Sequence, residues 1–123
     1  MLQKIDLGSE KAMGFRWEGK FDEKGVKQSI LQFLPELQSR AKMNVYVEIQ
    51  EISEVEAKAL WDELKFDLKN FQQLTDKIDK IAVVTDETWL RTISEGSSIV
   101  LPGIKVKAFT MAEKQAGTTW VTE

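Results

Sequence analysis

The order of apolar and polar positions along the chain sets out its elements one after another. Gln3 to Leu7 reads as a short strand and Gly8-Ser9-Glu10-Lys11 as turn chemistry. From Ala12 to Gly19, Met13, Phe15 and Trp17 alternate with Gly14, Arg16 and Glu18. Large side chains on one face and charge on the other predict a hairpin whose second strand lies at or near a sheet edge. Asp22 then opens a helix in which Val26, Ile30, Phe33, Leu34, Leu37 and Ala41 recur at three- and four-residue steps. That is the stripe of a helix laid on a sheet. Pro35 falls inside the stripe and predicts a kink, because the periodicity continues through Leu37.

Asn44 to Gln50 alternates Val45, Val47 and Ile49 with Tyr46, Glu48 and Gln50, a third strand. Ser53 with Glu56 three residues later is a capping-box signature. The helix it opens carries Ala57, Leu60, Trp61, Leu64, Leu68 and Phe71 on its buried face. The run Ile81-Ala82-Val83-Val84 has no alternation, which suits a strand covered on both faces. Thr85-Asp86-Glu87-Thr88 turns the chain into a helix with Trp89, Leu90 and Ile93, stopped by Gly96. Ser97 to Gly103 holds an apolar trio, Ile99-Val100-Leu101, inside loop punctuation. Ile104 to Phe109 is a last strand with Lys105 and Lys107 on one side, the pattern of a protected edge. Thr110 with Glu113 is a second capping box, opening a helix with Ala112, Ala116 and Trp120 on one face.

Strand and helix alternate through most of the length, without repeats or linkers. The expectation is one α/β domain over residues 1–123, with right-handed crossovers. A chain of 123 residues can bury a core without disulfides or metals. It has no cysteine and no histidine, which excludes thiol nucleophiles, Ser-His-Asp chemistry and Cys or His metal sites. An enzyme here would have to work with carboxylates, lysines, hydroxyls or one phenol, Tyr46. No nucleophile has a base beside it and no glycine-rich phosphate loop is present, so a non-enzyme without cofactors is expected. A net charge of −3 with no basic stripe argues against nucleic acid as partner. No stretch resembles a signal peptide or a transmembrane helix, so a cytoplasmic protein is expected.

The segments Ala59-Leu60-Trp61-Asp62-Glu63-Leu64-Lys65-Phe66 and Lys80-Ile81-Ala82-Val83-Val84-Thr85-Asp86-Glu87-Thr88-Trp89, with Phe71 between them, resemble the bacterial SpoIIAA-like family. Gly19 and Trp120-Val121 fall where similar proteins carry glycine and tryptophan. The family stands near the STAS domains (sulfate transporters and anti-sigma-factor antagonists) and is grouped by fold with CRAL-TRIO lipid-binding domains. The resemblance implies a mixed, mostly parallel five-stranded sheet in the order β-β-α-β-α-β-α-β-α, built as a β-α superhelix. For true anti-sigma antagonists it would also imply a regulatory serine in an Asp-Ser-Ser-Gly-like turn after the third strand. Here that turn reads Gln50-Glu51-Ile52-Ser53-Glu54-Val55-Glu56, so Ser53 is the one candidate phosphosite, among glutamates that would repel a phosphate.

Two further groups of residues are candidate sites. Thr85 and Asp86 lie where ligands bind in open α/β sheets, outside the carboxyl ends of the strands; the plain alternative is that they cap the next helix. Trp61, Phe66, Trp89, Phe109, Ile99, Val100 and Leu101 could together form an apolar surface or pocket. The plain alternative is that tryptophans on helical stripes are core. The leading expectation is a binding or regulatory module that meets a protein partner, or itself as a homodimer, through an apolar surface near Ile99 to Leu101. A carrier of lipid or another hydrophobic small molecule is the second, and an anti-sigma-type phospho-switch the third. Acid–base work by Asp62, Asp67, Asp86 or Glu87 comes last, since a charged wet face explains those carboxylates.

Overall fold

The computed structural model describes residues 2–19, 22–39, 42–55, 59, 76–96 and 103–123. Its elements are β1 (Leu2–Ile5), β2 (Ala12–Trp17), α1 (Glu23–Ser39), β3 (Met43–Glu48), β4 (Ile78–Val84), α2 (Thr88–Gly96), β5 (Lys105–Phe109) and α3 (Lys114–Thr122). The strands form one five-stranded sheet in chain order, β1-β2-β3-β4-β5. β1 pairs with β2 antiparallel, and every other pair is parallel. This is the mixed, mostly parallel α/β sheet that the pattern and the resemblance imply. The expected helix from Ser53 to Phe71 begins at Glu54 and Val55; Trp61, Phe66 and most of its length lie outside the described residues.

The period of two along each strand sorts the side chains onto two faces. Met13 and Phe15 of β2 pack with Met43 on one face, joined by Phe33 from α1. The Phe15 and Phe33 rings meet edge-on at 4.8 Å. Asp22 caps α1, its Oδ1 accepting the Gly25 N–H at 2.7 Å. α1 then runs through Pro35 to Ser39. Ser29, fully buried, donates to the Gly25 carbonyl at 2.8 Å and accepts the Leu2 N–H at 3.0 Å. One hydroxyl thereby fastens the edge strand to the helix.

On the other face Ala12, Tyr46, Ala82, Val84 and Phe109 form a core closed by Val121 of α3, with Trp120 against its rim. Ala82, Val83 and Val84 are buried and Ile81 is half-buried, as a strand covered on both sides requires. The face of α3 turned inward is not the expected one. Ala112 and Ala116 are exposed, and Gly117 and Val121 are buried. The reason is closeness of approach: a Cβ on Gly117 would stand 3.2 Å from Phe109 Cδ2, 3.3 Å from Val84 Cγ2 and 3.4 Å from Tyr46 Cε2. Glycine lets the helix backbone settle onto the ring edges beneath it, a choice that periodicity of apolar residues does not show.

Overpacking at this point is costly. Gly117→Val is expected to destabilise the fold by about 1–3 kcal/mol, read as a lower urea midpoint with an unchanged slope. An unchanged midpoint would mean that α3 lifts off the sheet freely.

Candidate functional site

The parallel strands β2, β3, β4 and β5 end together, and this is where the polar side chains converge. Arg16 of β2 and Glu48 of β3 are register partners. Arg16 Nε donates to Glu48 Oε2 at 2.8 Å. Tyr46, two residues before Glu48 on the same face, donates its hydroxyl to Glu48 Oε1 at 2.8 Å. The carboxylate is therefore gripped on both oxygens, and its side chain is only 5% exposed.

Burial by itself would raise Glu48. The hydrogen bonds from Arg16 and Tyr46, with the charges of Arg16 and of Lys114 on α3, outweigh it and hold the carboxyl below its ordinary 4.5. Burial, reinforced by the donation to Glu48, pushes the Tyr46 phenol far above its usual range and keeps it protonated. Arg16 is raised by its bond to Glu48. An ionised glutamate, a fixed guanidinium and a neutral phenol make a lock rather than a proton-transfer set.

Beside this cluster, the β4–α2 turn is stitched to both neighbours. Thr85 is fully buried, its N–H bonded to the Phe109 carbonyl at 2.9 Å and its hydroxyl accepting the Glu87 N–H at 3.1 Å. Arg91 of α2 reaches back to the Thr85 carbonyl at 2.9 Å. Asp86 Oδ1 accepts the Met111 N–H at 3.0 Å, and the Asp86 N–H donates to Gln50 Oε1 at 3.4 Å. Gln50 leads into Glu51, which adopts φ 57°, a left-handed turn that costs a non-glycine residue about 1–2 kcal/mol. Thr110 donates both its N–H and its hydroxyl to Glu113 Oε1 at 3.0 Å, and the backbone bond first, then the hydroxyl, lowers the Glu113 carboxyl. No buried side-chain nitrogen or oxygen lacks a partner among the described residues.

Of the residues singled out in the sequence, Thr85 and Asp86 lie at this crest, Trp89 is half-buried at the start of α2, and Phe109 is buried in the core under α3 and so belongs to no outer surface. Their hydrogen bonds are of the capping kind, although Asp86 caps the turn before α3 and not α2. Ser53 is exposed beside the helical residues Glu54 and Val55. Trp61, Phe66, Ile99, Val100 and Leu101 lie outside the described residues. Sequence reasoning missed Arg16, Glu48, Gln50 and Arg91. Tyr46 and Glu48 carried a signal, two polar residues two apart on one strand, but their union with Arg16 needs the β2–β3 register.

The sheet is an antiparallel hairpin continued by parallel strands, with α3 locked over a polar crest on its second face. A sequence profile of the SpoIIAA-like family matches residues 12–122, and the chain belongs to that family. That family suggests a STAS-type regulatory or binding domain, a class whose members are in general not enzymes. Neither curated proteins nor solved structures returned a match. Among the described residues, no helix is long and apolar enough to cross a membrane, and no cluster of carboxylates could hold a metal ion.

The lock gives a pH prediction. Because the folded value of Glu48 lies below its ordinary 4.5, its stabilisation is present above that pH and is lost as acid takes the group through its folded value. Glu48→Gln is expected to cost about 2 kcal/mol at neutral pH and to flatten the acid limb of stability measured by urea unfolding. Tyr46→Phe removes one of the two donors, so the remaining contribution should be smaller and should vanish at a higher pH. Identical acid limbs in all three proteins would refute the lock.

Proposed function

We propose that the chain is a non-enzymatic, cytoplasmic binding and regulatory module formed as a single domain. In this reading it meets a protein partner or a second copy of itself through an apolar surface that includes Ile99, Val100 and Leu101. The observation that supports binding over chemistry is the crest itself. Three carboxylates near the strand ends have fixed partners: Glu48 in Arg16 and Tyr46, Asp86 in the Met111 N–H, and Glu113 in Thr110. A crest stitched in this way supports a domain that acts through its outer surface. What supports such a surface is the sequence, in which an apolar trio stands within loop punctuation after the helix that carries half-buried Trp89 near its start.

Size-exclusion chromatography with light scattering tests self-association. A concentration-dependent dimer is expected, and the double substitution Ile99→Ser, Leu101→Ser should weaken it at least tenfold without changing the circular dichroism. A clean monomer at high concentration would remove the self-associating version. Bound acyl species in native mass spectrometry of freshly purified protein would instead point to a carrier of hydrophobic molecules.

A further inference from the structure

β5 is the last strand of the sheet, and no further strand lies beyond it among the described residues. Because the Phe109 carbonyl bonds to the Thr85 N–H, Phe109, Lys107 and Lys105 turn their main-chain groups toward β4. Strand alternation then turns the N–H and C=O of Val106 and Ala108 outward. The side chains sort just as cleanly. Lys105 is in register with Lys80 and Lys107 with Ala82, so the three lysines share one face, while half-buried Val106 and Ala108 lie on the other. Lys105 and Lys107 are exposed. Lys80 is held 5.2 Å over the Trp120 ring and Lys107 5.5 Å over the Phe109 ring.

We propose that the outer edge of β5 is a docking site for an extended acidic segment of a partner protein, which adds to the sheet as a further strand. Main-chain hydrogen bonds to Val106 and Ala108 would supply affinity, and the side chains would supply selection. Across from Lys105 and Lys107 an acidic residue is favoured at every second position; between them, beside Val106 and Ala108, an apolar one. The segment is thus alternating acidic and apolar.

The same lysines exclude a second copy of this chain. Two β5 edges would set lysines against lysines or against Phe109, and like charges directly opposite are destabilising. The other edge, β1, offers Gln3 and Ile5 on one face and Leu2 and Lys4 on the other, with no carboxylate. What guards the edge against self-pairing also selects an acidic strand, so specificity has a repulsive and an attractive part. The inference does not rest on the apolar surface proposed above, and either can fail without the other.

The test is fluorescence anisotropy at low salt with a fluorescein-labelled peptide whose core is Glu-Val-Glu-Val, together with amide hydrogen exchange. Saturable binding that weakens with added salt is expected, with slowed exchange at Val106 and Ala108. Reversing both charges, Lys105→Glu with Lys107→Glu, should weaken binding at least tenfold and confer binding of the Lys-Val-Lys-Val counterpart. Val106→Pro removes an outward N–H and spares the β4 ladder, so it should abolish binding with the fold intact. If that variant does not fold, the charge swap and the exchange map decide alone. No saturable binding, indifference to the charge reversal, or protection elsewhere in the sheet would overturn the proposal. So would oligothymidylate binding as tightly as the peptide, which would make the lysines a nucleic-acid patch.

Discussion

A mostly parallel sheet has two faces to keep from water, and this chain covers the second with α3, a helix of nine residues. So short a helix holds its place only if its own ends are satisfied and its backbone comes close. The helix meets the second condition with a glycine of its own, and the first largely with residues from the sheet and the β4–α2 turn. Gly117 permits the approach. At the carboxyl end, where the helix has no basic residue of its own, Asn44 donates to the Val121 carbonyl at 2.7 Å and Lys80 to the Trp120 carbonyl at 3.3 Å. At the amino end Asp86 and the Thr110–Glu113 pair hold the preceding turn. The sheet supplies the caps that the helix sequence lacks.

The polar crest follows from the same constraint. α3 covers strand positions that carry Asn44, Tyr46 and Glu48, so these polar groups are buried with the core. A buried carboxylate without partners would be costly, and Arg16 and Tyr46 give it two. Arg16 keeps about half of its side chain in water. The ion pair is therefore a partly screened contact at the margin of the core, and most of its worth is in fixing where β2 and β3 end relative to α3.

Much of this was legible in the residues. Five strands, the Thr110–Glu113 capping box and the doubly covered run at Ile81 to Val84 follow from period and turn chemistry, and the segments around Trp61 and Trp89 carry the family likeness. The inward face of α3 was not legible, because the apolar stripe Ala112, Ala116 and Trp120 competes with a glycine whose value is closeness and not hydrophobicity. The Arg16–Glu48–Tyr46 cluster was hidden for another reason. Its members stand on the polar side of alternating strands, where solvent is the ordinary expectation, and only the register and the arrival of α3 turn that side inward.

Strands laid down in the order of the chain have a consequence for assembly. Each new strand finds its neighbour already in place, so the sheet can grow from β1 toward β5 as the polypeptide is made. The Asn44–Val121 bond is different, spanning 77 positions. Until that late contact forms, the rings of Tyr46 and Phe109 and the methyls of Val84 stand uncovered, and a nascent chain lacking α3 would present them to chaperones as an oily, half-finished surface.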